Sequence, residues 1–241
     1  MKVIIVGAGI GGLTTHLVCR RAGFAVEHYE RQPHLGPAGA GIVLWPNGVK
    51  VLLALGLGEQ LRQIGHNLDR VVTRTHQGEP LSEMTVGELE RRLGAPVYPV
   101  SRTDLQALLL GAVAPEALHL GARCVRVEQT ASDVTAHFED GRTATGDLVV
   151  GADGIHSVIR RAVVGEVEPR YSGMANWVGI IANDGLQPEH TGFEFLGEGK
   201  RCGLLPLAGN RLYFGFAGAT DKGDALPRGG RRRQLRELSA P

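Results

Sequence analysis

The strongest constraint on this chain sits at its start. Val3-Ile4-Ile5-Val6 is a β-branched apolar run that stops at Gly7-Ala8-Gly9-Ile10-Gly11-Gly12, after which Ile10, Leu13, Leu17 and Val18 recur at helical spacing. The pattern predicts a buried strand, a glycine turn and a helix. Gly23 then reads as a helix cap and Phe24 to Tyr29 as a second strand, so the opening is a βαβ unit. A parallel crossover brings both strand ends to one sheet edge, which places Glu30 near the glycine turn. Gly7, Gly9 and Gly12 spell GxGxxG. The first glycine permits the turn, the second lets backbone approach a pyrophosphate, and the third lets helix and strand pack closely. Ile10 heads the helix, whose positive dipole end faces the phosphates. Glu30 suits a ribose diol and repels a 2′-phosphate, which favours FAD or NAD over NADP. Arg31 beside it slightly weakens that exclusion. The bland alternative is a glycine-rich turn without a ligand.

Composition narrows the field. Glycine makes up 35 of 241 residues, against a usual share of about 7%, with no Gly-X-Y period, so many tight turns are expected. With 26 basic and 25 acidic side chains the net charge is +1, which argues against nucleic acid as a partner. The apolar run before Gly7 is too short for a signal peptide or membrane helix, so a cytoplasmic protein with no membrane partner is expected. Cys19, Cys124 and Cys202 are scattered and odd in number, which fits reduced core residues. The nine histidines lack metal-ligand spacing, so no metal is expected and each is read as structural or surface. There is no GxSxG elbow.

Further along, Ser101 and Asp104 have capping-box spacing ahead of Leu105, Leu108, Leu109 and Ala112, which predicts a helix. Leu118 to Glu128, Val134 to Glu139 and Thr143 to Val150 read as strands, with Asp140-Gly141 turning between the last two. Val149-Val150 runs into Gly151-Ala152-Asp153-Gly154 and then an apolar helix face of Ile155, Val158, Ile159, Ala162 and Val163. This is a second strand, glycine turn and helix. From Tyr171 the period becomes two, over 177–181, 191–196, 201–207 and 211–217, which predicts a mostly antiparallel sheet. Residues 227–241 are basic and helix-capable, with the arginine run 231–233 read as a solvated face.

Three features separate FAD from NAD: Gly39-Ala40-Gly41-Ile42 leading to Trp45-Pro46-Asn47-Gly48, Arg102 after Ser101, and Asp153-Gly154 with Ser157 and Arg160. Here the chain resembles the class A flavoprotein aromatic hydroxylases, the para-hydroxybenzoate hydroxylase family. GADGIHSVIR at 151–160 matches that family's GADGxxSxxR throughout. The resemblance implies that Arg102 and Asp153 approach FAD, that Gly41, Ile42 and Val43 line the flavin, and that Arg160 helps the GADG turn with pyrophosphates. Within the family the chain is similar to the FAD-dependent urate hydroxylases, through AGAGIVLWPNGVK, YPVSRTDLQ, YSGMANWVG, GEGKR and NRLYF. That likeness implies that Arg201 and Tyr213 stand at the flavin and substrate, with Asn176 a weaker pocket candidate. Strand parity agrees for Tyr213, because Leu212, Phe214 and Phe216 take the opposite face.

The fold class expected is α/β: a Rossmann-type FAD-binding domain (1–67 and 95–165) interleaved with a mostly antiparallel β-sheet substrate domain (68–94 and 166–241). The resemblance implies hydroxylation of a small aromatic or purine-like substrate with NADH or NADPH and oxygen, the nicotinamide being held only transiently. Family members carry a GDAAH-like or GDAGH-like return segment that touches the flavin. This sequence lacks one, and the chain looks like a member cut short. A non-catalytic flavin-binding remnant, or a half-enzyme needing a partner, is therefore the alternative. An NAD-dependent dehydrogenase is a poorer third. The sequence leaves oligomeric state open.

Overall fold

The structure, a computed structural model, describes residues 1–36 and 39–220. The chain gathers into two compact units, one from Met1–Ala38 with Thr103–Pro169 and the other from Gly39–Arg102 with Arg170–Pro241.

In the first unit four parallel strands stand in the order Leu148–Gly151, Lys2–Val6, Ala25–Tyr29 and Leu118–His119. Val3, Ile4 and Ile5 are fully buried, as a continuous apolar run in a parallel sheet should be. Helix Ile10–Arg21 makes the crossover to Ala25–Tyr29. A second, antiparallel sheet joins Thr143–Gly146, Val134–Phe138 and Cys124–Gln129. Ile4, Val6, Tyr29, Phe138, Ala144 and Ile159 share one core that binds both sheets together. The Asp140-Gly141 turn forms with Gly141 at φ +87°, a region glycine enters without a Cβ clash.

Two expected strands divide. Leu118 to Glu128 breaks at Gly121, whose φ of +67° turns the chain from the parallel sheet into the antiparallel one. Thr143 to Val150 breaks at Asp147, whose carboxylate accepts the Lys2 amide and whose own amide donates to the Lys2 carbonyl. Alternation along a sequence carries no mark of which sheet a strand joins, so neither break is visible in it.

The second unit is built on six strands in the order Met174–Ala182, Arg211–Ala219, Lys200–Leu207, Thr191–Gly197, Arg70–Thr75 and Pro80–Thr85. All neighbours are antiparallel except Thr191–Gly197 with Arg70–Thr75. A ribbon of Gly41–Leu44 against Tyr98–Ser101 belongs to this unit. Its Val43 packs with Val71, Leu205 and buried Leu68, Val86 and Val97. The expected division gave 39–67 and 95–102 to the other domain. The shared core is why they group with the antiparallel sheet instead. The basic segment 227–241 lies outside the described residues.

Candidate functional site

Three consecutive residues at the end of strand Ala25–Tyr29 hold the glycine turn. His28 Nε2 lies 3.0 Å from the Gly7 carbonyl oxygen, the Tyr29 carbonyl accepts the Gly7 amide at 2.7 Å, and the Glu30 carboxylate accepts the Ala8 amide at 2.7 Å. Glu30 also accepts the Gln32 amide at 2.8 Å and is buried. Gly7 takes φ +103°, and a Cβ there would stand 2.3 Å from the Ala152 carbonyl oxygen. A Cβ on Gly12 would stand 1.8 Å from the Gly7 oxygen. These two glycines answer to the protein's own packing. Gly9 and Gly11 differ, because a Cβ on either would meet open space. The outer side of the turn is therefore bare, as close approach by a phosphate requires. The helix that begins at Ile10 has no acidic side chain in its first turn, so its positive end is unopposed.

Beside the turn lies a cavity of about 450 Å³, lined among others by Gly7, Glu30, Arg31, Arg123, Asp153 and His156. The buried Glu30 carboxylate and Gly7 on this cavity, with bare Gly9 and the helix start two and three residues further along the chain, fit the adenosine diphosphate half of a dinucleotide. The second glycine turn abuts the first, since the Ala152 amide donates to the Val6 carbonyl at 2.7 Å. Asp153 reaches the cavity wall, yet its carboxylate is occupied as a helix cap. It accepts the Ser157 hydroxyl at 2.5 Å and the Val158 amide at 2.7 Å, at the start of helix Val158–Val164. That duty turns its charge toward amide donors. The Arg160 guanidinium donates to the Ile155 carbonyl at 2.8 Å and borders a smaller cavity of about 50 Å³.

Sequence reasoning missed two residues that touch the turn. Gln106, buried on helix Arg102–Gly111, donates from Nε2 to the Ala8 carbonyl at 3.3 Å. Its signal was available: an amide beside Leu105 on an otherwise apolar helix face. His28 gave no comparable sign. It is fully buried, and its ring stacks at 5.5 Å on His16, which is 3% exposed. Burial lowers both imidazoles from their ordinary value, His16 to about 4, with the charges of His28 and Arg20 adding to the effect at His16.

The remaining expected residues lie in the second unit. The Arg102 amide donates to the Ala40 carbonyl at 2.8 Å, and its side chain fills the space beside Gly39, where a Cβ would stand 3.1 Å from Nη1. Ile42 and Val43 are half-buried in the ribbon, opposite Val100 and Pro99. Gly41 meets Tyr213. A Cβ on Gly41 would lie 2.7 Å from the tyrosine ring, and one on Gly215 would lie 2.7 Å from its hydroxyl. Tyr213 thus lies along its strand in room that two glycines leave. The register then fixes the face. Tyr213 opposes Leu205 and Ile180, while Ala217, four residues on, opposes Arg201 and Asn176. Alternate residues share a face, so Asn176, Arg201 and Tyr213 all stand on one side of the sheet. Glu194, opposite Gly203, stands there too and ion-pairs with Arg201. The Arg201 side chain is 64% exposed and that of Glu194 25%.

A Gly-x-Gly-x-x-Gly turn locked to the carboxylate that follows the next strand defines a dinucleotide-binding protein. The chain belongs to the FAD binding domain family, which it matches over residues 1–228. It is similar to the FAD-dependent urate hydroxylase of Klebsiella pneumoniae, at 38% identity over 94% of this chain and 61% of that protein. It is also similar to the 3-amino-4-hydroxybenzoate 2-monooxygenase of Streptomyces cremeus, at 38% identity over 91% of this chain and 57% of that protein. The crystal structure of Klebsiella pneumoniae HpxO complexed with FAD and uric acid matches all of this chain and 62% of its own, with a TM-score of 0.92 at 37% identity. The chain spans about three fifths of the length of these relatives. No helix among the described residues is long and apolar enough to cross a membrane.

Proposed function

We propose that this chain binds FAD and belongs to a monooxygenase that hydroxylates a small aromatic or purine-like ring with NADH or NADPH and oxygen. The observation that carries the reading is the turn at Gly7–Gly12, bare on its outer side and tied to buried Glu30. The similar urate hydroxylase and aminohydroxybenzoate monooxygenase support the reaction class. FAD, when bound, supplies the redox and oxygen chemistry. The protein's part is placement. Gly9 and the head of helix Ile10–Arg21 receive the pyrophosphate, while Glu30, with lone pairs left beyond its two amide bonds, accepts the ribose hydroxyls. Arg31 borders that end. Asp153 shapes the second turn, which Arg160 braces through Ile155.

Gly41, Ile42, Val43 and Arg102 serve the flavin end, so the functional division into 1–67 with 95–165 and 68–94 with 166–241 cuts across the compact units. Arg201 donates to an oxygen of the substrate ring, and the Tyr213 hydroxyl, held over Gly215, orients it. Asn176 on the same face adds an amide. Three free cysteines, each with its thiol pushed up by burial, suit a reducing cytoplasm.

Purified chain mixed with FAD tests the reading. Retention of a flavin absorbance that bleaches with NADH or NADPH, faster when uric acid or an aminohydroxybenzoate is present, is the expected result. A chain that retains no flavin overturns it.

A further inference from the structure

We propose that His28 is a positioning residue of the phosphate-binding turn, and that its buried stack on His16 makes the turn's hold on a dinucleotide pH-dependent. The inference rests on the FAD reading only for the identity of the ligand.

The geometry dictates the protonation state. Gly7 oxygen can only accept, so the His28 nitrogen 3.0 Å away must carry the proton. His28 Nδ1 is then a bare lone pair, and it has no hydrogen-bond partner. Neither has Nδ1 of His16. Two neutral imidazoles are thus packed ring on ring behind the turn, with one N–H between them spent on the Gly7 carbonyl. That bond matters because the two peptide groups that flank Gly7 are both held: the Gly7 N–H goes to Tyr29, and the Gly7–Ala8 peptide has its C=O on His28 and its N–H on Glu30. With both ends fixed at φ +103°, the next amide falls on Glu30 and Gly9 is left facing outward. Loss of the His28 bond leaves the Gly7–Ala8 peptide held by Glu30 alone, and its plane can tilt away from the conformation that bares Gly9.

Protonation acts on the stack rather than on the bond, since the Gly7 carbonyl itself favours a charged His28. A proton on either ring places a cation in a site with 3% exposure or less. The groups that face it are mixed. Glu30, at the end of the same strand, favours the charge on His28. Against it stand Arg20 on the helix, acting on His16, and His119 on the neighbouring strand, acting on His28. Burial outweighs Glu30 at His28, so the stack stays neutral until the medium is acidic, and proton uptake then opens it.

The test uses the full chain and two variants of His28. H28L removes the donor without leaving a large cavity, and H28Q places an amide N–H near the lost Nε2. Amide NMR signals of Ala8 and Gly9 are recorded without ligand, and FAD affinity is measured by quenching of flavin fluorescence. H28L should shift both signals and weaken FAD about tenfold at pH 7, and H28Q should bring both back to within about threefold of the parent. Between pH 6 and 4 the parent should lose FAD affinity more steeply than H16L/H28Q, which has no titrating ring in the stack. Unmoved Ala8 and Gly9 signals in H28L, or identical pH profiles for parent and double variant, overturn the proposal. If the signals move as expected while the parent binds no FAD, the positioning role stands and the FAD reading falls.

Discussion

The glycine turn and the Arg201 face of the six-stranded sheet are built for their proposed chemistry by opposite routes. At the turn the working atoms are backbone amides, and every neighbour is committed: His28, Tyr29, Glu30, Gln106 and Ala152 each hold or confine a particular group of residues 7, 8 or 12. On the sheet face the proposed working atoms are side-chain ends, and Arg201 is largely exposed and ion-paired with Glu194. A site made of backbone is bound to the fold that shapes it. A site made of side chains on a finished sheet can change without cost to that sheet.

That contrast predicts a graded series of effects. The largest falls on Gly12→Ala, which forces a methyl into a carbonyl 1.8 Å away. Moving backbone to relieve such a clash costs about 3 kcal/mol or more, a drop in Tm of roughly 10 °C for a chain of this size. Gly9→Ala, one turn away, should leave stability unchanged within about 0.5 kcal/mol, or Tm within about 2 °C, because its methyl meets open space. Equal melting losses for the two, read by circular dichroism, would dissolve the distinction between packing glycines and approach glycines.

Next comes acid. The folded-state value of His16 is lowered to about 4 from an ordinary 6.5, and that of His28 is lowered too. A base held below its unfolded value lends stability that is complete above about pH 6.5 and is lost as pH falls toward 4. For His16 alone the loss is about 2–3 kcal/mol at pH 4. The slope of Tm against pH over that window should be shallower in H16L. Parallel slopes would mean that the stack takes up protons freely.

The smallest stability effect belongs to the sheet face. Arg201→Ala and Tyr213→Phe should each change stability by less than about 0.5 kcal/mol, or Tm by less than about 2 °C, since an exposed ion pair contributes little and the tyrosine ring stays in place over Gly41. Both should weaken binding of uric acid or an aminohydroxybenzoate to the flavin-loaded chain. A large fall in Tm with unchanged ring binding would reverse the comparison and make these residues structural.

The same contrast explains what could be read in advance. The βαβ opening was legible because each of its parts has a local cause: a β-branched run, glycines at fixed offsets, helical spacing, and Glu30 at the end of the next strand. The face of Tyr213 was legible too, since parity along one strand decides it. The division of Leu118 to Glu128 at Gly121 was not, because alternation does not say which sheet a strand joins. Nor was the grouping of 39–67 and 95–102 with the antiparallel sheet, since Val43, Val97, Val71 and Leu205 gather around one core cluster only after folding. The helix-capping duty of Asp153 and the bond from His28 to Gly7 lie between the two. Asp153 stands out in the sequence and His28 does not, and the partners of both are set by side-chain geometry across the turn.

The central claim is that the Gly7–Gly12 turn and Glu30 hold FAD. Titration of flavin fluorescence with the parent chain, Gly9→Val, Glu30→Ala and Arg201→Ala tests it most directly. Gly9→Val should block the approach of the pyrophosphate, and Glu30→Ala should remove a charge-assisted acceptor worth roughly 1.5–3 kcal/mol, so each should raise the dissociation constant about tenfold or more. Arg201→Ala should leave it unchanged. Flavin affinity that survives both turn substitutions intact would contradict the account.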